Sequence, residues 1–381
     1  MINCKRSRFT LPPRLTYLNC AYMSPLLKKV EKTGIRGLRK KRDPSGILPA
    51  DFYTDSRLLR EEFAKLINIS DPKRVAIIPS VSYGMATVSH NLKIGRGEKI
   101  IVASDQFPSN YYPWHNLCEE TGAVLTIIEP PSTLSGRGKI WNERILDAID
   151  SKTRMVAIGN VHWTDGTLFM LEAIRIRTRE VGALLVIDGT QSVGALPFDV
   201  EKIQPDALIC AGYKWLLGPY SIGLAYYGEY FDQGRPIEQN WINRLNSEDF
   251  EQLVNYQPLY QEGSLRYAVG EQSNFIHVPM LLKAIQQLNR WGVENIQSYC
   301  QIICEKTLAS LQQKGYWVED NRYRSSHLIG IRLLDHNPQK IKASLQKNNI
   351  CVSFRGDAIR VSPNVYNHEK DIVKLVKVLS Q

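Results

Sequence analysis

The sequence lacks several features that would assign it to a familiar class of protein. No apolar run approaches the ~18–20 consecutive residues that a membrane span needs. The basic opening MINCKRSRFTLPPR contains no apolar core of the kind found in a secretion signal. Neither G-x-G-x-x-G nor G-x-x-x-x-G-K-[ST] follows a candidate strand. We therefore expect no membrane partner and no secretion, and a nucleotide-binding protein is the weaker alternative.

Cysteine is sparse and scattered. The chain has seven cysteines and no C-x-x-C pair, so neither a disulfide framework nor a metal site is expected. Cys300 and Cys304 are spaced to lie on one side of a helix, where they are predicted to act as small buried apolar residues. This cysteine usage favours a reducing, cytoplasmic compartment.

Composition excludes disorder and indicates a globular enzyme-sized protein. The 381 residues are 43% hydrophobic and 23% charged, with a formal net charge of +10. The densest basic run, at positions 36–42, falls in a helical stretch without interleaved aromatic residues. We interpret it as a solvated face and predict no nucleic-acid partner.

Short apolar runs rich in β-branched residues alternate with helical stretches along the first two thirds of the chain. Such runs, separated by helices, predict a mostly parallel, seven-stranded sheet covered on both faces. The last two runs are joined by ten residues, too few for a helical crossover, which predicts an antiparallel strand at the sheet edge. The predicted strands are Val75–Pro79, Lys99–Ala103, Val124–Ile128, Met155–Gly159, Leu184–Asp188, Ala207–Ala211 and Ile222–Tyr227.

The pattern changes after about residue 272. Two long helical stretches, Phe275–Leu288 and Ile296–Leu311, precede strands near 316–319, 327–333 and 351–354, with helices near 339–347 and from 369. These segments predict a smaller α+β domain. We divide the chain into an N-terminal arm (1–16), a large α/β domain (17–272) and a small C-terminal domain (273–381).

The most informative stretch is residues 186–219. The run LLVID ends at Asp188, Gln191 follows three positions later, and Lys214 comes shortly after the run ALICA. In an open parallel sheet, ligands bind beyond the carboxyl ends of the strands. An acid and an amine there could form a plain ion pair. However, pyridoxal 5'-phosphate (PLP) needs a lysine for its aldehyde, a carboxylate for its pyridine nitrogen and a donor near its phenolic oxygen.

Two motifs carry a resemblance to a known family. The segments DGTQSVG (188–194) and GYKWLLGP (212–219) resemble the class V aminotransferases of PLP fold type I. This group includes kynureninases, selenocysteine lyases, cysteine desulfurases and isopenicillin N epimerase-like proteins. The resemblance runs from Tyr17 to the last helix and implies PLP as cofactor, and a homodimer with shared active sites.

The resemblance also implies roles for individual residues around the cofactor. Lys214 would form the Schiff base and Asp188 would pair with the ring nitrogen. The phosphate would lie at the N-terminus of the helix that follows Ser80. The remaining implied cofactor contacts are Gln191 at the phenolic oxygen, Phe107 on the ring face, Ser82, Tyr83 and Tyr213 at the phosphate, and Gly270 and Glu271 at the phosphate of the partner subunit.

The segment 352–367 resembles the family's region for the substrate carboxylate, with Arg360 as the binding residue and Arg355 as the second candidate. Residues 19–22 would lie near the substrate. Asn110 departs from the aspartate of kynureninases, which makes kynureninase activity doubtful, and Trp163 or Thr164 takes the place of a common asparagine. His162 is interpreted as structural.

These residues predict an enzyme that acts at Cα or Cβ of a small L-amino acid through Lys214, as an aminotransferase or a C–S lyase. An epimerase or racemase is the alternative within the family, and a nucleotide- or nucleic-acid-binding protein without PLP is the alternative from another class. Persulfide chemistry is disfavoured, since the short turn 354–359 has no cysteine and Cys351 is expected to be buried.

Overall fold

The computed structural model describes residues 2–381, which form thirteen β-strands and eleven α-helices. The strands are β1 (Thr16–Tyr17), β2 (Val75–Ile78), β3 (Lys99–Ala103), β4 (Val124–Ile128), β5 (Thr153–Gly159), β6 (Leu184–Asp188), β7 (Ala207–Ala211), β8 (Gly223–Tyr227), β9 (Trp317–Val318), β10 (Ile329–Arg332), β11 (Ile350–Cys351), β12 (Ser353–Arg355) and β13 (Ala358–Val361). The helices are α1 (Lys28–Lys40), α2 (Thr54–Leu66), α3 (Val81–Asn91), α4 (Tyr112–Thr121), α5 (Arg137–Ala148), α6 (Leu171–Val181), α7 (Val200–Ile203), α8 (His277–Trp291), α9 (Val293–Gln312), α10 (Pro338–Lys347) and α11 (Glu369–Leu379).

A seven-stranded sheet in the order β2-β8-β7-β6-β5-β3-β4 forms the centre of the molecule. All its pairs are parallel except the two made by β8, so the predicted mostly parallel sheet is confirmed. The predicted edge position of the antiparallel strand is wrong, because β8 lies between β2 and β7. The edge strand on this side of the sheet is β2, where the Val269 amide donates to the Ile77 carbonyl at 2.9 Å.

Alternating side chains of the sheet enter two separate apolar layers. Ile187 and Leu208 face one layer with α2, α6 and α8, whereas Val186 and Ile209 face the other with α3 and α4. In the central strands β6 and β7 every residue except Leu184 is buried, as expected for a sheet covered on both faces. Edge strand β4 differs, because Val124 and Ile127 remain exposed.

The C-terminal part contains a four-stranded antiparallel sheet in the order β12-β13-β10-β9. The single strand predicted near 351–354 is wrong, because it is two strands in different sheets. The first, β11, pairs with β1 near the N-terminus, and β12 forms a tight hairpin with β13 around Gly356 and Asp357. The change of partner between residues 351 and 353 leaves no local pattern, since it depends on β1.

Several other features of the described residues bear on the expectations from composition. Cys300 and Cys304 are both buried on α9, as predicted. Helix α1 ends at Lys40, and Arg36, Arg39, Lys41 and Arg42 are exposed. Within residues 2–381, no helix combines the length and apolar character needed to cross a bilayer. The same residues contain no group of three or more His, Cys, Asp or Glu side chains placed to hold a metal ion.

Candidate active site

A cavity of about 310 Å³ lies beyond the carboxyl ends of β6 and β7. This is the edge of a parallel sheet at which ligands bind. The predicted residues Lys214, Asp188, Gln191, Ser82, Phe107 and Tyr213 all line it, together with Pro79, Ser80, Val81, Gln106, Ser109, Gly159, Val161, Trp163, Thr190, Ala211, Tyr220, Ser221 and Ile222.

Lys214 is the central polar group of this cavity. Its side chain is 5% exposed, and its ammonium lies 5.1 Å from the ring centre of Phe107 and 5.5 Å from that of Tyr213. Among residues 2–381, no hydrogen-bond acceptor or carboxylate contacts Nζ directly. Burial lowers the pKa of Lys214 to about 8, against the opposing charge of Asp188. A buried amine with a lowered pKa and no partner is poised to react with an aldehyde.

The loop that carries Lys214 is held by close backbone contacts. The Gly212 amide donates to the Ile222 carbonyl at 2.9 Å, and the Gly218 amide donates to the Gly212 carbonyl at 2.8 Å. Leu217 adopts the left-handed region at φ +56°, which costs energy in a residue with a side chain. Gly194 packs against this loop with φ +100°, and a Cβ there would lie 2.5 Å from the Trp215 carbonyl oxygen. The left-handed conformation of Leu217 and the close packing of Gly194 together fix where the Lys214 side chain projects.

Asp188 ends β6, directly beside β7, and its carboxylate faces the same cavity as Lys214. Burial raises the pKa of Asp188, whereas hydrogen bonds from Thr190 and the charge of Lys214 oppose this rise. The Thr190 amide donates to Asp188 Oδ1 at 3.0 Å. A buried carboxylate in this position can hold a proton on a ring nitrogen. Asp188 is the one carboxylate among the residues that line the cavity.

Gln191 is fixed by two contacts outside the cavity. Its Nε2 donates to the Ala21 carbonyl at 3.1 Å, and its Oε1 accepts from Trp215 Nε1 at 2.9 Å. These bonds orient the amide and leave one N–H of Nε2 for a ligand. The contact with Ala21 also packs the segment 19–22 behind Gln191, and its position near a substrate stays a prediction.

The N-terminus of α3 forms the wall on the other side. Ser80 caps the helix by accepting from the Tyr83 amide at 3.2 Å, and the hydroxyls of Ser80 and Ser82 are 2.9 Å apart. Gly84 allows the helix to pack closely on β7, because a Cβ there would lie 2.8 Å from Ile209. The exposed amides of a first helical turn attract anions, so this wall suits a phosphate.

Aromatic side chains enclose the space between these polar groups. Phe107 meets Trp163 edge to face, with ring centres 5.4 Å apart, and Tyr213 lies 4.7 Å from Tyr220. A flat heterocycle between them would gain about 0.5–1.5 kcal/mol beyond area burial. Phe107 lines the cavity, and its role on the ring face stays a prediction.

Three predicted cofactor contacts lie elsewhere. Tyr83, Gly270 and Glu271 are absent from the cavity wall. The Gly270 amide donates to the Glu238 carboxylate, and burial raises the pKa of Tyr83, with Glu238 acting in the same direction. The structure therefore brings Tyr83 and Gly270 together around Glu238, a residue that the sequence analysis did not single out. Glu271 follows with φ +59°. Their roles at a phosphate stay predictions.

Arg360 does not reach the cavity wall either. It is 1% exposed, and its Nη1 donates to the Trp163 carbonyl at 2.8 Å. Arg355 packs on the indole of Trp163, with its guanidinium carbon 5.3 Å from the ring centre. Trp163 thus touches both the cavity and the two arginines. The role of Arg360 with a substrate carboxylate stays a prediction.

Other residues that the sequence analysis discussed have structural partners. His162 is buried, with Nε2 3.0 Å from the Ser104 carbonyl oxygen. Asn110 accepts from Trp114 Nε1 at 3.0 Å. The expectation that Cys351 is buried is wrong: it is half-buried, because the two-residue strand β11 has a partner on one side, β1.

The sequence analysis missed several lining residues. Gln106 immediately precedes Phe107, and Tyr220 immediately follows the GYKWLLGP motif. Proximity to those motifs could have indicated both. Thr190 lies inside the DGTQ motif, where its role beside Asp188 needed the turn geometry to become visible.

The chemistry of this cavity fits PLP. It offers an amine without a partner at Lys214, a carboxylate at Asp188, an aromatic wall at Phe107 and helix amides with hydroxyls at Ser80 and Ser82. These are the groups required for the aldehyde, ring nitrogen, ring face and phosphate.

Comparison with known proteins gives consistent matches. An uncharacterized aminotransferase, YcbU, of Bacillus subtilis is 28% identical over 316 residues, covering 82% of this chain and 80% of that protein. A probable cysteine desulfurase of Methanothermobacter thermautotrophicus is 25% identical, covering 84% and 82%. Among solved structures, the cystine C–S lyase C-DES, bound to its product cysteine persulfide, superposes with a TM-score of 0.83 at 20% identity and covers 97% of this chain and 98% of that one. The cysteine desulfurase CsdA of Escherichia coli gives 0.80 at 18%, covering 98% and 96%.

The family model for class V aminotransferases matches residues 48–375. This match and the shared fold confirm the predicted PLP fold type I, the PLP cofactor and an enzyme of the transferase or lyase type. Since the matched region spans most of the sequence, the chain belongs to the class V aminotransferase family.

Proposed function

We propose that the protein is a PLP-dependent aminotransferase or C–S lyase that acts on a small L-amino acid through Lys214. The observation that supports this most directly is the Lys214 ammonium, buried in the cavity without a hydrogen-bond partner among residues 2–381 and with a pKa of about 8. When bound, PLP supplies a covalent link to an amine and a ring that withdraws electrons from the substrate carbon.

The residues of the chain have distinct tasks in this proposal. Lys214 would hold the cofactor through Nζ, and the same amine would take the proton from the substrate Cα, which its lowered pKa makes efficient near neutral pH. Asp188 would keep a proton on the ring nitrogen. Gln191 would donate to the phenolic oxygen, and Phe107 and Trp163, which line the cavity, would exclude water from the ring.

The hairpin of β12 and β13 has no cysteine. The proposal therefore covers C–S cleavage without a thiol nucleophile on that hairpin. The seven cysteines are all free thiols, which suits the reducing cytoplasmic compartment that we also propose.

Borohydride reduction tests the proposed lysine. The purified protein should be yellow, the colour of protein-bound PLP. Reduction followed by peptide mapping should place the label on Lys214. Lys214→Ala should lose the label and turnover. Lys99→Met is the matched control, because Lys99 is a lysine of the central sheet whose ammonium already contacts the Ala148 carbonyl and Asp150. A label on another lysine would refute the assignment.

A panel of amino acids decides between the two reactions. Release of a keto acid indicates transamination, whereas release of sulfide with ammonia indicates a C–S lyase. Arg360→Ala should raise KM for carboxylate-bearing substrates more than it lowers kcat, since a guanidinium binds carboxylates through two donors. An unchanged KM would move that role away from Arg360.

We further propose a homodimer with shared active sites. Support comes from large apolar residues exposed along one segment, 241–259, where Val254 and Tyr256 are 78% and 95% exposed. Sedimentation should give twice the 43.4 kDa chain mass. Tyr256→Asp should shift the protein toward monomer, whereas Ile176→Asp on the exposed face of α6 should not. A monomeric wild type would refute this part.

A further inference from the structure

Two arginines project from the same face of one hairpin. Arg355 pairs across β12 and β13 with Ala358, and Arg360 lies two positions further along β13. Residues paired across strands share a face, and diagonal neighbours stay within reach of each other's long side chains. Both guanidinium carbons lie against the Trp163 ring, at 5.3 Å and 5.8 Å from its centre. The hairpin therefore concentrates two positive charges at one border of the cavity.

Neither charge is neutralised by the protein. Arg360 Nη1 donates to the Trp163 carbonyl and Arg355 Nη1 donates to the Phe354 carbonyl at 2.7 Å. The Nε atoms of both are buried without an acceptor. Within residues 2–381, no carboxylate lies within ion-pair distance of either guanidinium. A buried cation without an anion is costly, so the arrangement favours an anionic ligand.

The neighbouring acids are committed elsewhere. Asp357, in the turn of the same hairpin, pairs with Arg332. Asp165, two residues after Trp163, contacts Arg137 at 3.0 Å and Arg332 at 2.9 Å. A carboxylate that compensates Arg355 and Arg360 must therefore come from outside the described chain.

The number of charges argues for more than one anionic group. The cofactor phosphate is predicted at the N-terminus of α3, where Ser80 and Ser82 line the cavity, and neither arginine belongs to that wall. An α-carboxylate on Arg360 offsets one guanidinium and leaves the other. The two arginines also differ in depth, since Arg360 is fully buried and Arg355 is half-buried. One small carboxylate does not contact both guanidiniums equally well, because they lie at different depths.

We propose that Arg355 binds a second carboxylate, carried on the side chain of the substrate, and that the enzyme acts on acidic amino acids. The substrate α-carboxylate lies on Arg360, and the side chain extends along Trp163 to Arg355. This inference rests on the proposed function and names its substrate class. Arg355 is then a specificity-determining residue rather than an alternative to Arg360.

Binding of unreactive acids to the holoenzyme tests this without turnover. Succinate and glutarate carry two carboxylates and no amine, and butyrate and valerate are their monocarboxylate counterparts of equal length. Calorimetry should show the dicarboxylates binding about 10-fold more tightly, the size expected for one additional charge-assisted pair. Equal affinities for the two classes would overturn the proposal.

Variants locate the second carboxylate. Arg355→Gln should weaken dicarboxylate binding about 10-fold and leave monocarboxylate binding within about twofold. Arg355→Lys keeps the charge and should retain part of the preference. Arg322→Gln is the matched control, since it removes one exposed guanidinium of the same C-terminal part. If Arg355→Gln weakened both classes equally, both arginines would hold one carboxylate and the proposal would fail.

Amino acids then separate this inference from the proposed function. L-aspartate and L-glutamate should be processed with a kcat/KM at least about 10-fold above that of L-alanine. Equal processing of alanine keeps the proposed function and overturns the acidic substrate class. Failure of borohydride to label Lys214 overturns the proposed function itself, whatever the dicarboxylate affinities are.

Discussion

Replacing Asp165 by asparagine should destabilise the protein through a buried ionic cluster. The carboxylate is 3% exposed and contacts two guanidiniums, those of Arg137 and Arg332. Burial raises the pKa of Asp165, but His162 and the two arginines outweigh it and hold the pKa well below its usual range. Arg137 is itself buried on α5, and Arg332 lies on β10. Asp165 therefore joins the central sheet layer to the C-terminal sheet.

The magnitude follows from the cost of an uncompensated buried charge. Removing one partner of a buried ion pair costs about 3–5 kcal/mol. At about 2.1 cal/mol/K per residue, a chain of this length has an unfolding entropy of about 0.8 kcal/mol/K. Asp165→Asn should therefore lower the melting temperature by about 4–6 °C.

Differential scanning calorimetry measures this shift, with Asp232→Asn as the matched control. Asp232 also pairs with an arginine, Arg74, but it is 37% exposed, so its loss should shift the melting temperature by less than about 1 °C. Because the folded-state pKa of Asp165 is depressed, the difference between wild type and Asp165→Asn should be full above about pH 4 and shrink below it. Equal shifts for the two variants would refute the reasoning.

Three further predictions concern the site and its supports. Lys214→Met should stabilise the cofactor-free protein by about 3 kcal/mol at pH 7, because burial lowers the pKa of Lys214 to about 8. The gain in stability should vanish toward pH 10.5. A gain that does not change with pH would contradict this prediction. Burial lowers the pKa of His327 to about 4. Because the unfolded state takes up the proton first, the wild type should lose about 2 kcal/mol of stability between pH 7 and pH 5. Urea titrations of His327→Gln should show that this pH dependence is lost. Gly194→Ala should destabilise the protein and weaken PLP binding, measured by cofactor absorbance after dialysis, whereas Gly182→Ala, with φ +73° and open space, should cost only about 1–2 kcal/mol and leave PLP bound.

The sequence predicted those parts of the fold that depend on local pattern. Each of the seven central strands forms within a few residues of its predicted range, because near-continuous apolar runs between helices are a strong signal of buried parallel strands. Asp188 and Lys214 meet in one cavity for the same reason, since Asp188 ends one buried strand, Lys214 comes shortly after the other, and the two strands are neighbours.

Contacts between distant segments could not be predicted in this way. The position of β8 inside the sheet depends on β2, more than 140 residues earlier. The hydrogen bond from Trp215 to Gln191 and the cluster of Tyr83, Glu238 and Gly270 also join separate segments. Neither apolar periodicity nor turn chemistry encodes which polar side chains will meet, so Glu238 and Asp165 became visible only in three dimensions.

The pairing of β1 with β11 has a consequence for the order of events during synthesis. Thr16 lies beside Ile350, and Gln191 donates to the carbonyl of Ala21, just after β1. At about 5–20 residues per second, a ribosome makes the partner strand roughly 20–70 s after β1. The nascent chain therefore carries an unmatched leading segment until nearly all of it has emerged. If Lys214 holds the coenzyme as proposed, we expect loading of the coenzyme to be a late, post-translational step rather than a scaffold for early folding.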